Sequence, residues 1–164
     1  LLSHKPGQMQ GLPTIEVFIA PIEDSVEGKI VVDASCSGEI GLIEEPIELV
    51  VKEGKVTSIL GGREAKQLEK MLKETNSADS YQVAELAIGL NPNCRITGKI
   101  VEDEGKYGTC HVALGNNKGF GGVSNAPIHI DMVQYHPTVI IDGVEIMKDG
   151  KLKIGIDLKK YGLE

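Results

Sequence analysis

Ile128-His129-Ile130-Asp131-Met132-Val133 alternates apolar and ionisable residues before closing on a second apolar residue, with no glycine or proline inside the run. Strict alternation marks a β-strand, because successive side chains point to opposite faces. Residues 127–133 are therefore expected as a strand. His129 and Asp131 share one face, about 6–7 Å apart along it, and Ile128, Ile130 and Met132 share the other. Three more segments follow the same design. Glu16 sits between Ile15 and Val17 in residues 14–20, Glu85 between Ala84 and Leu86 in 83–90, and His111 between Cys110 and Val112 in 109–114.

The company each ionisable residue keeps on its own face is small or apolar. Phe18 and Ala20 accompany Glu16; Val83, Ala87 and Gly89 accompany Glu85; Thr109 and Ala113 accompany His111. A solvated strand face normally carries several polar residues, so both faces of these strands are expected to be covered. A lone glutamate in a strand is usually an edge residue in water, and a lone buried histidine is usually hydrogen-bonded core. Several such residues on separate strands point to a shared neutralising centre. A buried carboxylate is costly unless it is paired or bound to a cation.

Outward from these strands, residues 28–34 read as a strand and 46–60 as a hairpin. The hairpin pairs Ile47–Val51 with Lys55–Ile59 across Lys52-Glu53-Gly54. Residues 63–75 form the main helix, with Leu68, Met71 and Leu72 at helical spacing and Glu69 and Lys73 four apart on the exposed side. Residues 115–125 are a Gly- and Asn-rich loop between two ligand-bearing strands, suited to a substrate wall or to a surface connection. Residues 138–156 read as a second hairpin turning at Asp149-Gly150. The fold class is α+β, a β-rich mixed sheet with hairpins and one main helix.

A chain of 164 residues fits one domain with a real core. The net charge of −7 argues against nucleic acid and anionic membranes as partners and is compatible with collecting a cation. No apolar run approaches the length of a membrane span. Cys36, Cys94 and Cys110 are odd in number, widely spaced and without a Cys-x-x-Cys pair. They suggest neither a disulfide framework nor a structural zinc site, and a cytoplasmic location is expected. The opening, Leu1-Leu2-Ser3-His4, lacks an initiator Met and reads as the start of a fragment. Residues 1–164 are accordingly expected to be a single metal-binding domain without the N-terminal domain of a longer protein. His4 and His136 have no motif around them and are expected to be structural.

Two imidazoles with several carboxylates suit zinc, cobalt, manganese or iron. More than three carboxylates suit a two-metal centre, with a bridging carboxylate, a bridging water and ions ~3.5–4 Å apart.

Four motifs carry a family resemblance. They are Gly11-Leu12-Pro13-Thr14-Ile15-Glu16-Val17-Phe18-Ile19-Ala20-Pro21; Ala84-Glu85-Leu86-Ala87-Ile88-Gly89-Leu90-Asn91; Asp103-Glu104 followed by Gly108-Thr109-Cys110-His111-Val112-Ala113-Leu114-Gly115; and Ile128-His129-Ile130-Asp131. In this order they resemble the thermophilic metalloprotease family, the aminopeptidases T and S. The resemblance implies a metal-dependent hydrolase that removes N-terminal residues from peptides and commonly forms a homodimer. It implies two divalent ions (Zn, Co or Mn) held by Glu16, Glu85, Glu104, His111, His129 and Asp131. Glu85 would bridge, and Glu85 or Glu16 would pass the proton from the metal-activated water to the leaving amine.

The chain also departs from that family. A tyrosine expected shortly after the position of His111 is replaced by Asn116-Asn117-Lys118, and the interval from His111 to His129 is short. These departures lean toward a second branch, which resembles 2,5-dihydroxypyridine dioxygenases. That branch implies one Fe(II) held by His111, His129 and Asp131, a set of the two-histidine-one-carboxylate kind. A non-catalytic fragment is the third reading.

Overall fold

The computed structural model describes residues 14–153. It contains a six-stranded sheet in the order β1-β7-β8-β9-β3-β4. Its strands are β1 (Glu16–Ile19), β7 (Val83–Gly89), β8 (Thr109–Gly115), β9 (His129–Tyr135), β3 (Ser35–Cys36) and β4 (Gly41–Leu42). A three-stranded sheet joins β2 (Gly28–Val32), β5 (Ile47–Lys52) and β6 (Lys55–Leu60), and another joins β10 (Val139–Ile141), β11 (Val144–Lys148) and β12 (Lys151–Leu152). The main helix α1 is Arg63–Glu74, and a single helical turn α2 is Ile100–Asp103. The α+β class with one main helix holds. The pairing is narrower than mixed, since every ladder among the described strands is antiparallel. The isolated bridge Asn91–Lys106 is parallel.

The expected β5–β6 hairpin forms because Glu53 and Gly54 both take left-handed backbone, φ 48° and 72°, which a two-residue turn between twisted strands requires. Helix α1 buries Leu68 and Leu72 fully, while Lys73 pairs with Glu69 at 2.8 Å on the outside. Ile47, Leu49 and Val51 of β5 join Leu68 and Leu72 in one core with Val112, Leu114, Ile130 and Met132. The small β2-β5-β6 sheet and α1 thus seal one face of the six-stranded sheet. Among the described residues no helix is long and apolar enough to cross a membrane, and Cys36, Cys94 and Cys110 form no disulfide.

The structure differs from the sequence reading in four places. The expected second hairpin is a three-stranded meander, because Asp142 and Gly143 also turn in left-handed backbone; its residues from 154 onward lie outside the described residues. The short elements β3, β4 and α2 were not expected. Val83 does not share a face with Glu85. A β-bulge between them sets Val83 against Leu114 and Glu85 against Ala113, which places Val83 in the core and turns Glu85 to the opposite face. Finally, β1 is not covered on both sides: Val17 and Ile19, facing away from Glu16, are 63% and 64% exposed.

Candidate metal centre

The unsealed face of the six-stranded sheet gathers the ionisable residues. Register does the work: Phe18 lies opposite Ala87, and Ala87 opposite His111. Ala113 lies opposite both Glu85 and Asp131, and Gly115 opposite His129. Small residues therefore alternate with donors across neighbouring strands and leave room for the longer side chains.

His111 is at the middle, with 1% of its side chain exposed. Its Nε2 lies 3.4 Å from Glu16 Oε2 and 3.7 Å from Glu85 Oε1. His129 Nε2 lies 3.1 Å from both Glu85 Oε2 and Asp131 Oδ1. Its other nitrogen, Nδ1, is 2.7 Å from the carbonyl oxygen of Asn116. A ring N–H donated to that carbonyl leaves Nε2 directed at the carboxylates. The backbone N–H of Asp131 donates to Ser37 Oγ at 2.8 Å, which ties β9 to the turn after β3. Donor atoms of Glu85, His111 and Asp131 all lie within 4.8 Å of one another.

Glu104 reaches this face from the loop after α2. Thr14 Oγ1 donates to its Oε1 at 3.0 Å, and its charge acts on Glu16. The loop can pass over β7 because residue 89 is glycine: a Cβ there would lie 2.8 Å from the Glu104 carbonyl oxygen and would collide with that of Lys106. All six residues singled out in the sequence thus face one region. Tyr107 and Tyr135 are engaged elsewhere. The Tyr107 hydroxyl accepts from the Leu152 N–H at 3.1 Å, and Tyr135 stacks on His136 with ring centroids 5.8 Å apart.

Burial and mutual repulsion show in the proton affinities. Burial pushes the Glu16 carboxyl up to about 7; His111 opposes this, while Glu104, Glu85 and Asp131 add to it. Burial raises Glu104 as well, reinforced by Asp131. Burial would also raise Glu85, but the imidazoles of His111 and His129 beside it outweigh this and hold the carboxyl at about 2. Burial alone would lower His129, yet its hydrogen bonds to Asp131 and Glu85 carry it up to about 10. Burial likewise opposes the proton on His111, and the carboxylates Glu85, Glu16 and Asp131 raise it.

The donor set fits a divalent transition metal. Burial and neighbouring carboxylates disfavour charge on Glu16 and Glu104, and a cation among these donors would offset that cost and favour their ionised forms. Two buried atoms in the cluster, Glu16 Oε2 and His111 Nδ1, have no hydrogen-bond partner, which a buried polar atom seldom tolerates. Residues that the sequence reading passed over also shape this site. Asn116, Ser37 and Thr14 hold the ionisable groups by backbone or side-chain hydrogen bonds. Phe120 sets its ring edge-to-face on His129 at 5.4 Å. For Asn116 and Phe120 the visible signal was the glycine and asparagine content of residues 115–125; Thr14 stood in the quoted Gly11–Pro21 motif, and Ser37 carried no signal.

Comparison with known proteins bears on the chemistry. A model of the family described as NicX, 2,5-dihydroxypyridine 5,6-dioxygenase, matches residues 2–154. A curated relative, the 2,5-dihydroxypyridine 5,6-dioxygenase of Pseudomonas putida KT2440, is 28% identical over 162 residues, covering 90% of this chain and 45% of the relative. The chain therefore spans less than half the length of that relative. The solved structure of 2,5-dihydroxypyridine dioxygenase from the same organism superposes with a TM-score of 0.81 at 26% identity, over 88% of this chain and 45% of that one. Wild-type AmpT from Thermus thermophilus superposes with a TM-score of 0.65 at 20% identity, over 87% of this chain and 40% of that one. At that identity the likeness is one of fold alone.

The expected aminopeptidase is thereby corrected. The matching family and the curated relative are oxygenases, not hydrolases or metalloproteases. The departures from the aminopeptidase pattern, at Asn116-Asn117-Lys118 and in the short interval from His111 to His129, had leaned toward the dioxygenase branch. The two-ion centre also lacks support, since among the described residues a single group offers mutually close donor atoms.

Proposed function

The chain belongs to the 2,5-dihydroxypyridine 5,6-dioxygenase family, and from that premise we propose that it holds a single iron(II) and serves the oxidative opening of a dihydroxypyridine ring. The observation that supports this most is the meeting of Glu85, His111 and Asp131, whose donor atoms lie within 4.8 Å of one another, with His129 3.1 Å from both carboxylates. Two imidazoles and one carboxylate are the donor class of open-site non-haem iron oxygenases. When bound, the iron would supply the one-electron chemistry that lets dioxygen react with a closed-shell aromatic ring.

The protein's own groups have separate tasks. His111, His129 and Asp131 hold the cation, and Glu85, which touches both imidazoles, orients them or adds a fourth donor. The Asn116 carbonyl fixes the tautomer of His129. Glu16 Oε2 is buried and without a hydrogen-bond donor, so it is the atom placed to accept a proton from a ring hydroxyl. Glu104 adds negative charge at the rim and strengthens retention of the cation.

Anaerobic loading with iron(II), metal analysis and oxygen uptake test this reading. One iron per chain, and oxygen consumed in step with 2,5-dihydroxypyridine, are expected. Two metal ions per chain with cleavage of leucyl-p-nitroanilide and no oxygen uptake would overturn it.

A further inference from the structure

We infer that the cleft between Phe120 and the strand entrance at Pro127–His129 is a subsite for a planar aromatic ring, with Phe120 as its ring-contacting residue. The chain has only two phenylalanines, and they meet beside the metal centre. Phe18, on the same face of β1 as Glu16, sets its ring edge-to-face on Phe120 at 5.5 Å, and Phe120 does the same to His129 at 5.4 Å. Next to them lies a cavity of about 360 Å³, lined by Asn116, Gly119, Phe120, Pro127, Ile128 and His129. That volume lies at the low end of the range for small-molecule sites, roughly 300–1,000 Å³.

The loop is built to present Phe120. Its base is tied down: fully buried Asn117 accepts from Ser124 N–H at 2.8 Å and donates to Glu23 Oε1 at 3.2 Å. Glu23 also accepts from Val123 N–H at 2.6 Å. The apex, the 3-10 turn Lys118–Phe120, is followed by Gly121 at φ 99°, a left-handed backbone that turns the chain back directly after the ring. A Cβ at Gly119 or Gly121 would meet nothing within 4 Å, so neither glycine is required by crowding. Phe120 is the one aromatic side chain at the apex.

Aromatic rings prefer edge-to-face or offset contact because their faces are negative and their edges positive. A hydroxylated ring in this cleft can meet Phe120 in that way beside His129, the one metal-centre residue that lines it. A non-aromatic chelator gains nothing from Phe120. The identity of the ring as a dihydroxypyridine rests on the dioxygenase reading; the subsite itself rests on the two phenylalanines and the cleft.

The test uses protein loaded with redox-inert Zn(II) and follows binding by calorimetry, so no turnover is needed. The probes are 2,5-dihydroxypyridine, catechol and the ring-free chelator acetohydroxamate. Phe120→Leu is expected to weaken both rings roughly tenfold and to leave acetohydroxamate within about twofold, while Phe120→Tyr restores ring binding. Unchanged ring affinity in Phe120→Leu, or equal weakening of all three probes, overturns the subsite. If the unaltered protein binds catechol but not 2,5-dihydroxypyridine, the subsite stands and the dioxygenase reading falls. Binding of neither ring overturns both.

Discussion

The two faces of the six-stranded sheet are made by the same strands and nearly the same residue numbers, yet they do opposite work. One face takes Val112, Leu114, Ile130 and Met132 and is sealed by α1 and the small β2-β5-β6 sheet. The other takes His111, Ala113, His129 and Asp131 and gathers an excess of carboxylates. Stability resides on the first and cation affinity on the second, and one residue of register divides them. The bulge at Val83/Glu85 shows how fine the division is: a single unpaired residue puts Val83 in the core and Glu85 at the centre.

This division can be broken from either side. The largest effect is expected from His129→Ala, which removes the nitrogen shared by Glu85 and Asp131. Metal affinity should fall by more than about 100-fold, beyond the 10–100-fold that outer partners of a ligand cost. His136→Ala, at the stacked pair with Tyr135, should retain the metal; equal metal content in the two variants would refute the division. On the sealed face, Leu114→Ala should cost about 2–5 kcal/mol in denaturant unfolding, because Leu114 is fully buried. Its folded fraction should still bind metal as the parent does. A lost metal site in folded Leu114→Ala would show the faces to be coupled.

Proton competition gives the next effect. His129, raised to about 10, holds a proton at neutral pH in the metal-free protein. That proton stabilises the fold fully below the ordinary value of 6.5, and its contribution is lost as pH rises through about 10. A metal at Nε2 must displace it, so affinity should rise with pH between 7 and 10 by up to about tenfold per unit. Calorimetry in buffers of different ionisation enthalpy should show a released proton, and pH-independent affinity with no release would contradict this. The smallest effect belongs to the uncovered end of the apolar face. Val17→Thr, at a residue 63% exposed, should change unfolding free energy by less than about 0.5 kcal/mol. A larger loss would mean that Val17 is covered in solution.

Much of this division was legible in the alternation of residues. The strands bearing Glu16, Glu85, His111 and the His129/Asp131 pair all form, as do helix α1 and the β5–β6 hairpin. What alternation cannot carry is irregularity. A period of two assumes an unbroken ladder, so the bulge before Glu85 was invisible and Val83 was set on the wrong face. Elements as short as β3 and β4 hold too few residues to show a period. The Asp142-Gly143 turn was legible, being the same pair as Asp149-Gly150, but the apolar run on either side of it read as one strand. Phe120 was missed because its role depends on Phe18 and His129, residues 102 and 9 positions away that only the folded sheet brings near.

Anomalous diffraction at the iron edge, from crystals of protein loaded anaerobically with iron(II), tests the centre most directly. One peak is expected, within bonding distance of His111, His129 and Asp131. A density map with no peak on that face of the sheet, or with two peaks there, would contradict it.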